Sequence, residues 1–283
     1  MDSKTFSNTV IIIDKPPGQA SHEITTFVKK ITGASRAGHA GTLDPEVSGV
    51  LPVALGKATK LLRYIAGKDK TYVGIVKFRK LMEKAEVEAL FKRFTGELVQ
   101  TPPKISAVRK APRKRTVHHL KLLELDGRLA LFETRVDAGT YIRTLCEDMG
   151  KECGGAAMVE LRRTAVGKIE AKEAHKLTDL IDAIWLAREK KVDDLLRKML
   201  KRPEELIGLP RVWVKESAVR SISSGAQVMA PAIEKLGDAK EGELVALYSG
   251  KEFLGVGVMQ VDAERLHEMK KGMAIKLERI HKA

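Results

Sequence analysis

Cysteine is scarce in this sequence, and long apolar runs are missing from it. Cys146 and Cys153 are the only thiols among 283 residues, which is too few for a disulfide framework or an all-cysteine zinc site. No stretch approaches the roughly 18 apolar residues of a membrane span, and the N-terminus lacks the apolar core of a signal peptide. We therefore expect a cytoplasmic protein without a metal or a membrane partner, in which both thiols are small buried groups.

Three common catalytic signatures are incomplete or absent. The segment 56–59 (GKAT) lacks the spaced upstream glycine and the Ser or Thr after lysine that a phosphate-binding P-loop needs. The segment 255–257 (GVG) lacks the third glycine of a dinucleotide fingerprint, and no Gly-x-Ser-x-Gly nucleophile elbow occurs. The sequence therefore gives no support to an NTPase, a dinucleotide-dependent enzyme or a serine hydrolase.

Positive charge is in clear excess. Lys and Arg number 51 against 37 Asp and Glu, a formal charge of +14, which favours nucleic acid as the partner. An anionic membrane surface or a merely solvated basic face are the alternatives. The basic segment, residues 104–121, contains no acid and is either an arm that tracks RNA phosphates or a solvated loop. Its candidate RNA contacts are Arg109, Lys110, Arg113, Lys114 and Arg115.

Apolar periodicity predicts strands and helices up to about residue 208. Strands are predicted at Val10–Ile13 and Thr71–Phe78 and on both sides of Asp126-Gly127, which is a two-residue hairpin signal. Pro52 predicts that its own strand is an edge strand or an irregular one. Helices are predicted after a Ser21 cap, over Glu83–Phe94, after a Thr140 cap, and as one long helix over about Thr178–Leu200.

The pattern changes after Pro203 and the Gly208-Leu209-Pro210 step. Short strands and glycine turns follow, at Glu243–Tyr248, Phe253–Met259 and Met273–Ile280. We therefore expect an α+β chain with two domains, residues 1–208 and a small β-rich domain of residues 209–283.

The loop Gly38–Pro45 (GHAGTLDP) carries a single acid, Asp44, between glycines and a proline. An Asp-Pro step commonly only starts a turn, but the surrounding glycines let another backbone approach and would hold a carboxylate rigidly. His39 in the same loop is either an ordinary loop histidine or a flat ring that can stack on a base.

Arg143 and Tyr72 are further candidates. If Thr140 caps a helix, Arg143 lies in its first turn, where the macrodipole disfavours a cation unless an acid or a phosphate compensates it. Asp44 would be such an acid, and an Arg that extends into solvent is the alternative. Tyr72, at a strand start, is either a core residue or an aromatic platform for an everted base.

Five ordered motifs resemble the TruB family of pseudouridine synthases. They are DKPPG at 14–18, the loop 38–45 with GVLP at 49–52, KTY at 70–72, GTYIR at 139–143 and LRRT at 161–164. Residues 41–45 (GTLDP), 103–108 (PKISAV) and 209–214 (LPRVWV) are similar to the archaeal, dyskerin-like branch, and the C-terminal domain resembles a PUA domain. The resemblance implies a mixed, largely antiparallel sheet with flanking helices, crossed by the active cleft, and a small RNA-binding pseudobarrel after it.

The resemblance also implies site roles and a reaction. Asp44 would be the catalytic aspartate, buried and steadied by Arg143, and Tyr72 would stack on the everted uracil. The reaction breaks the bond from ribose to uracil N1, rotates the base and rejoins it through C5. No cofactor is expected, because nothing is oxidised, reduced or hydrolysed overall.

Three further residues are implied to bind the substrate. Lys15 and Leu161 would line the pocket, and His39 would fill the space that the everted nucleotide leaves. The partners implied are a box H/ACA guide RNA, substrate rRNA and the other core proteins of the particle, with the T-loop uridine of tRNA as a second target. The alternatives are a stand-alone tRNA pseudouridine synthase and a non-catalytic RNA-binding or assembly protein on the same scaffold.

Overall fold

The computed structural model of the chain describes residues 3–102, 109 and 111–281. Within these residues the first sheet has ten strands, namely β1 (Asn8–Lys15), β2 (Ala37–His39), β3 (Ser48–Gly56), β4 (Lys70–Phe78), β5 (Gly96–Gln100), β6 (Arg113–Asp126), β7 (Leu129–Val136), β8 (Ala156–Val166), β9 (Ile169–Glu170) and β10 (Leu200–Lys201). The α-helices around it are α1 (Ser21–Thr32), α2 (Leu62–Ala66), α3 (Lys84–Arg93), α4 (Ile142–Cys153), α5 (Leu177–Trp185), α6 (Asp194–Met199) and α7 (Pro203–Ile207). In the described ranges, no helix is both long enough and apolar enough to span a membrane.

The strands of the first sheet run in the order β10-β1-β3-β8-β4-β7-β6-β5, with β2 also paired to β3 and β9 to β8. Neighbouring strands pair antiparallel except β3 and β8, which are parallel and meet through Ser48 with Arg162 and Gly49 with Arg163. The predicted α+β class with a mixed, largely antiparallel sheet is confirmed.

A second sheet follows, with six strands in the described residues. They are β11 (Arg211–Val214), β12 (Val228–Met229), β13 (Ile233–Leu236), β14 (Leu244–Ser249), β15 (Glu252–Met259) and β16 (Met273–Ile280), accompanied by α8 (Val219–Ser223) and α9 (Ala263–Glu268). This β-rich module packs on the first sheet, because Ala246 and Phe253 share one buried cluster with Val10 and Ile12 of β1. Each large apolar side chain buried there contributes about 1.5–3 kcal/mol.

The strongest local signals give the expected elements. α3 begins after Glu83, whose backbone N–H donates to the Glu86 carboxylate at 2.8 Å, and it buries Val87, Leu90 and Phe91. Gly127 adopts the positive φ of 54° that the hairpin between β6 and β7 requires. Both predictions depend on residues that are close together in the sequence, and both are confirmed.

The prediction for Pro52 is only half right. β3 is not an edge strand, because β1 pairs with it along its length and places Ile12 opposite Pro52. On its other side β3 pairs with β8 up to Gly49 and with β2 from Val53 onward. Pro52, which has no N–H to donate, lies in the gap between these two partners, so the strand is irregular there.

The predicted long helix over about 178–200 is wrong. α5 ends at Trp185, a π-helical turn covers Leu186–Lys190, and Lys191 adopts a left-handed φ of 60° before α6 begins. This break rotates the apolar stripe, so that Leu196 is buried whereas Leu195 is half-exposed. The apolar periodicity indicates which residues are helical, but it does not indicate that a π-helical turn separates two helices whose buried faces point in different directions.

His281 follows β16 and is buried against Phe253, with ring centroids 5.4 Å apart. Only 2% of the residue is exposed, and neither ring nitrogen has a hydrogen-bond partner among the described residues. Burial, reinforced by the positive charges of Lys60 and Lys57, lowers the pKa of His281 from 6.5 to about 4. The folded protein therefore holds this ring neutral.

We expect His281 to make the fold acid-sensitive. Because its pKa is lower in the folded chain than in the unfolded one, its contribution to stability is complete above about pH 6.5 and is lost as the pH falls towards 4. The loss should be about 2 to 3 kcal/mol, since one pKa unit corresponds to about 1.4 kcal/mol. Denaturant unfolding between pH 7.5 and 4 measures it, with His281→Phe as the control. Equal pH dependence in the two proteins would contradict this assignment.

Candidate active site

The loop between β2 and β3 is fixed to α1 immediately before Asp44. The Ser21 hydroxyl accepts the Leu43 N–H at 2.8 Å and donates to the Leu43 carbonyl at 2.9 Å. The prediction that Ser21 caps α1 is therefore wrong, because the N-cap is Ala20. The Ser21 hydroxyl instead satisfies both backbone groups of Leu43, the residue before the acid.

A second pair of hydrogen bonds fixes the loop immediately after Asp44. The Pro45 carbonyl accepts one hydrogen bond from the Lys15 ammonium and one from the Gly18 N–H, both at 2.9 Å. Lys15 is fully buried, and burial lowers its pKa although the carboxylates of Glu46 and Asp44 oppose the shift. Asp44 is thus held between two anchored residues, and its backbone has little freedom to move.

Arg143 faces this loop from the start of α4. It is the second residue of the helix, and its Nη2 lies 3.4 Å from Asp44 Oδ2. The predicted cap is wrong in detail, because Tyr141 occupies the N-cap and the Thr140 hydroxyl donates to the Asp137 carbonyl instead. The position in the first turn, on which the argument about the macrodipole depended, is as predicted.

The Asp44–Arg143 pair is open to solvent. The side chains are 54% and 45% exposed, so the expectation of a buried carboxylate is wrong for the protein without RNA. The physical reason is the alternation of the loop, in which Leu43 points into the core at 3% exposure and the next side chain points out. In water such a pair contributes at most about 1 kcal/mol to stability. Because Asp44 lies at the surface, a large substrate can reach it.

An apolar floor lies beneath the pair. Tyr72 of β4 and Leu161 of β8 are 8% and 6% exposed, and they share one buried cluster with Leu43 and Ile142. Leu43 directly precedes Asp44 and Ile142 directly precedes Arg143. Leu43 and Ile142, the neighbours of the two charged residues, thus share one core with Tyr72. Asp44, Arg143 and Tyr72 are thereby brought to one region although they lie far apart in sequence.

His39 is fixed at the edge of the same loop. Its Nδ1 lies 3.1 Å from the Thr25 hydroxyl, which itself donates to the Ser21 carbonyl, so Nδ1 is the protonated nitrogen and Nε2 accepts from Thr42 at 3.3 Å. Burial and the nearby Arg163 charge lower the pKa of His39. The two contacts therefore hold the ring between α1 and the loop, and the lowered pKa favours its neutral form.

Two buried cations near the loop were not predicted from the sequence. Arg163 is 1% exposed and Lys70 is 5% exposed; burial, with the Arg163 charge, lowers the pKa of Lys70 to about 8. The alternation of β8, in which Leu161 and Arg163 share a face, was the available signal for an inward-pointing arginine. The alternation of β4 offers the same signal for Lys70, which shares its buried face with Tyr72 and Val76.

From Arg113 onward the basic segment, predicted as an arm that tracks RNA phosphates or as a solvated loop, is part of a strand. Arg113, Lys114 and Arg115 begin β6 and pair with β5, and Lys114 forms an exposed ion pair with Glu97 at 2.9 Å. Arg109 is exposed, and Lys110 lies outside the described residues. The strand partner of Arg113, Gln100, accepts a hydrogen bond from the Tyr141 N–H, and the Arg115 guanidinium lies against Gly139, so β6 begins beside the segment that leads into Arg143.

Three family models match consecutive parts of the chain. Residues 29–142 match the N-terminal domain of the TruB family pseudouridylate synthases, and residues 143–207 match the C-terminal domain of tRNA pseudouridylate synthase B. Residues 210–281 match the PUA domain. The first two matches cover most of the first sheet and the third covers the β-rich module.

Archaeal proteins match nearly the whole sequence. A probable tRNA pseudouridine synthase B of Pyrobaculum arsenaticum is 42% identical over 277 residues, which cover 96% of this chain and 84% of that protein. The protein of the same description in Pyrococcus furiosus is 40% identical over 276 residues, which cover 96% of this chain and 81% of that protein.

Two solved structures match across both modules. A chain in the crystal structure of a Cbf5-Nop10-Gar1 complex has a TM-score of 0.92 and 38% identity, and the match covers 100% of this chain and 88% of that one. A chain in the structure of an H/ACA RNP bound to a substrate RNA containing 2'-deoxyuridine has a TM-score of 0.91 and 36% identity, with 99% and 87% covered. These matches extend to the way in which the two modules pack together.

Proposed function

Because the chain belongs to the TruB family of pseudouridine synthases, we propose that it isomerises uridine to pseudouridine in ribosomal RNA, as the catalytic subunit of a guide-RNA-directed box H/ACA particle. The observation that carries this proposal is the match of the whole chain, in both modules, to a protein solved in complex with Nop10 and Gar1. The partners would be a guide RNA, the substrate RNA and core proteins of that kind, in the cytoplasm and without a cofactor.

Asp44 would supply the carboxylate that acts as nucleophile or base when the bond between ribose and uracil N1 is broken. Arg143 would orient that carboxylate, and Tyr72 would support the uracil face while the base rotates and C5 takes the place of N1. Since C5 loses a proton and N1 gains one, the step is a redox-neutral isomerisation. These roles are supported by the anchored loop and the ion pair at 3.4 Å.

The open geometry of the site fits a substrate that completes it. An everted nucleotide placed on the floor of Tyr72 and Leu161 would exclude water from the Asp44–Arg143 pair. A charge pair interacts several-fold more strongly near a protein surface than in bulk water. The energy needed to unstack the uridine, a few kcal/mol, would be offset by these contacts.

The remaining predicted site residues would act on either side of this floor. Lys15 would hold the loop after Asp44, as its hydrogen bond to the Pro45 carbonyl supports, and Leu161 would line the pocket. The neutral His39 ring would fill the place of the everted base.

Farther from the site, a PUA domain at residues 209–283 would bind RNA next to a catalytic domain at residues 1–208. The proposed phosphate contacts are Arg109, Lys110, Arg113, Lys114 and Arg115.

A second candidate function is that of a stand-alone tRNA pseudouridine synthase, which is favoured by the description of the archaeal relatives. Mapping of pseudouridine separates the two. Purified protein is incubated with tRNA alone, and with ribosomal RNA together with guide RNA and the companion core proteins. We expect product at the uridine that the guide selects, and none there without the guide. Product in tRNA alone would support the second function, and no product in either reaction would contradict both.

A further inference from the structure

Arg163 is the largest fully buried side chain among the described residues. No ion pair is formed by its guanidinium with a described Asp or Glu, and burial lowers its pKa while the nearby Tyr72 hydroxyl opposes that shift. A buried charge without a counterion is costly. An apolar side chain would fill this space at lower cost, so the guanidinium must satisfy a specific requirement.

Its contacts indicate what that requirement is. Arg163 Nε donates to the Val50 carbonyl at 2.8 Å, and Nη2 donates to the Gly41 carbonyl at 2.9 Å. Gly41 belongs to the loop that carries Asp44. On the neighbouring strand β4, Tyr72 is the residue that pairs with Arg163. The guanidinium thus binds the loop of the acid from the residue that lies beside the candidate aromatic platform.

The position of these contacts explains why backbone pairing cannot replace them. β3 changes its partner from β8 to β2 between Gly49 and Val53, and the Val50 carbonyl lies in that gap. The guanidinium fills the gap from β8 and takes the place of the missing strand. Because it is planar and has several donors at fixed angles, it fixes both distance and orientation, whereas a lysine ammonium would fix neither.

We infer that Arg163 is a positioning residue for the isomerisation, which holds the Asp44 loop and the Tyr72 side chain in register with each other without contacting the uracil. This role presupposes the proposed isomerase function. It is distinct from the role of Arg143, which faces the carboxylate directly and is half-exposed.

The test compares Arg163→Lys with wild type in single-turnover pseudouridine formation and in RNA binding. We expect the rate to fall about 10²-fold, because a displacement of about 1 Å at reacting groups has that effect, whereas the Kd for RNA stays within about twofold. Arg93→Lys is the matched control, since Arg93 pairs with Glu152 at 3.0 Å on the surface of α3. An unchanged rate in folded Arg163→Lys would overturn the inference, as would a loss explained by RNA affinity alone.

A double-mutant cycle separates positioning from a general loss of stability. If Arg163 acts partly through the Tyr72 hydroxyl, the fold-decrease in rate caused by Arg163→Lys should be several-fold smaller in the Tyr72→Phe background than in wild type. Equal costs in both backgrounds would overturn the coupling. Pseudouridine formation by the wild-type protein is measured in the same series, so that failure of the proposed function is distinguishable from failure of this inference.

A measurement on the wild-type fold keeps the inference testable if Arg163→Lys does not fold. Nitrogen-15 NMR of the Arg163 guanidinium should give resolved, slowly exchanging Nη signals, because its rotation is restrained by the hydrogen bonds to the Val50 and Gly41 carbonyls. Tyr72→Phe should shift these signals. A rapidly rotating guanidinium, or signals indifferent to Tyr72→Phe, would overturn the inference.

Discussion

Replacement of Asp44 by asparagine is expected to lower the rate of pseudouridine formation by at least about 10³-fold and to leave RNA affinity unchanged. Asparagine keeps the shape of the side chain, and the loop is anchored through the backbone of Leu43 and Pro45 rather than through the carboxylate. Only the negative charge opposite Arg143 is removed. Release of tritium from RNA labelled at uracil C5 measures the rate, and filter binding measures the affinity.

Glu46→Gln is the matched control for Asp44→Asn. Glu46 is an exposed carboxylate two residues farther along the same loop. Its charge acts on Lys15, but it stands outside the ion pair of Asp44 with Arg143, so its replacement removes the same charge and leaves that pair in place. We expect near wild-type product from Glu46→Gln. Equal activity of Asp44→Asn and wild type would reject the assignment of Asp44, and loss of RNA binding in Asp44→Asn alone would make this residue a binding group rather than a catalytic one.

The parts of the fold that the sequence predicts well are those with short-range causes. The hairpin at Asp126-Gly127 and α3 each depend on residues within one or two turns of each other, and both are present. The two predicted caps failed for one reason. Ser21 and Thr140 have the right side chains for capping, but their hydroxyls bond to Leu43 and Asp137 instead. Local propensity cannot reveal that the folded chain brings another backbone group within reach of a hydroxyl that could have capped a helix.

The candidate site shows the same division. The first-turn position of Arg143 predicted that it needs an acidic neighbour, and the structure brings Asp44 to it across 99 residues of sequence. The exposure of Asp44 follows from the alternation of its loop and the inward direction of Arg163 from that of β8, but the contacts of the guanidinium depend on how β3 exchanges one partner strand for another. That exchange is a property of the assembled sheet and has no signature in any single segment.

The start of β3 should be the least tolerant point of this arrangement, and Gly49→Ala is expected to cost about 2–6 kcal/mol of unfolding free energy. Gly49 has a φ of 107°, which alone costs an alanine about 1–3 kcal/mol. A Cβ there would lie 2.1 Å from the Arg163 carbonyl oxygen and 2.9 Å from its carbonyl carbon and its nitrogen. These are backbone atoms of the strand paired with Gly49, so they cannot rotate away, and overpacking of this kind costs about 1–3 kcal/mol more.

Gly96→Ala isolates the steric part of that loss. Gly96 has the same φ of 107°, but a Cβ there meets no atom within 4 Å, so its replacement carries the backbone strain without the clash. Denaturant unfolding of both variants should therefore show a markedly larger loss for Gly49→Ala, and equal losses would contradict the predicted clash. Because Gly49 pairs with Arg163, the alanine should also displace the guanidinium from the Gly41 carbonyl. Any folded fraction of Gly49→Ala should then form pseudouridine as slowly as Arg163→Lys, whereas Gly96→Ala keeps its rate.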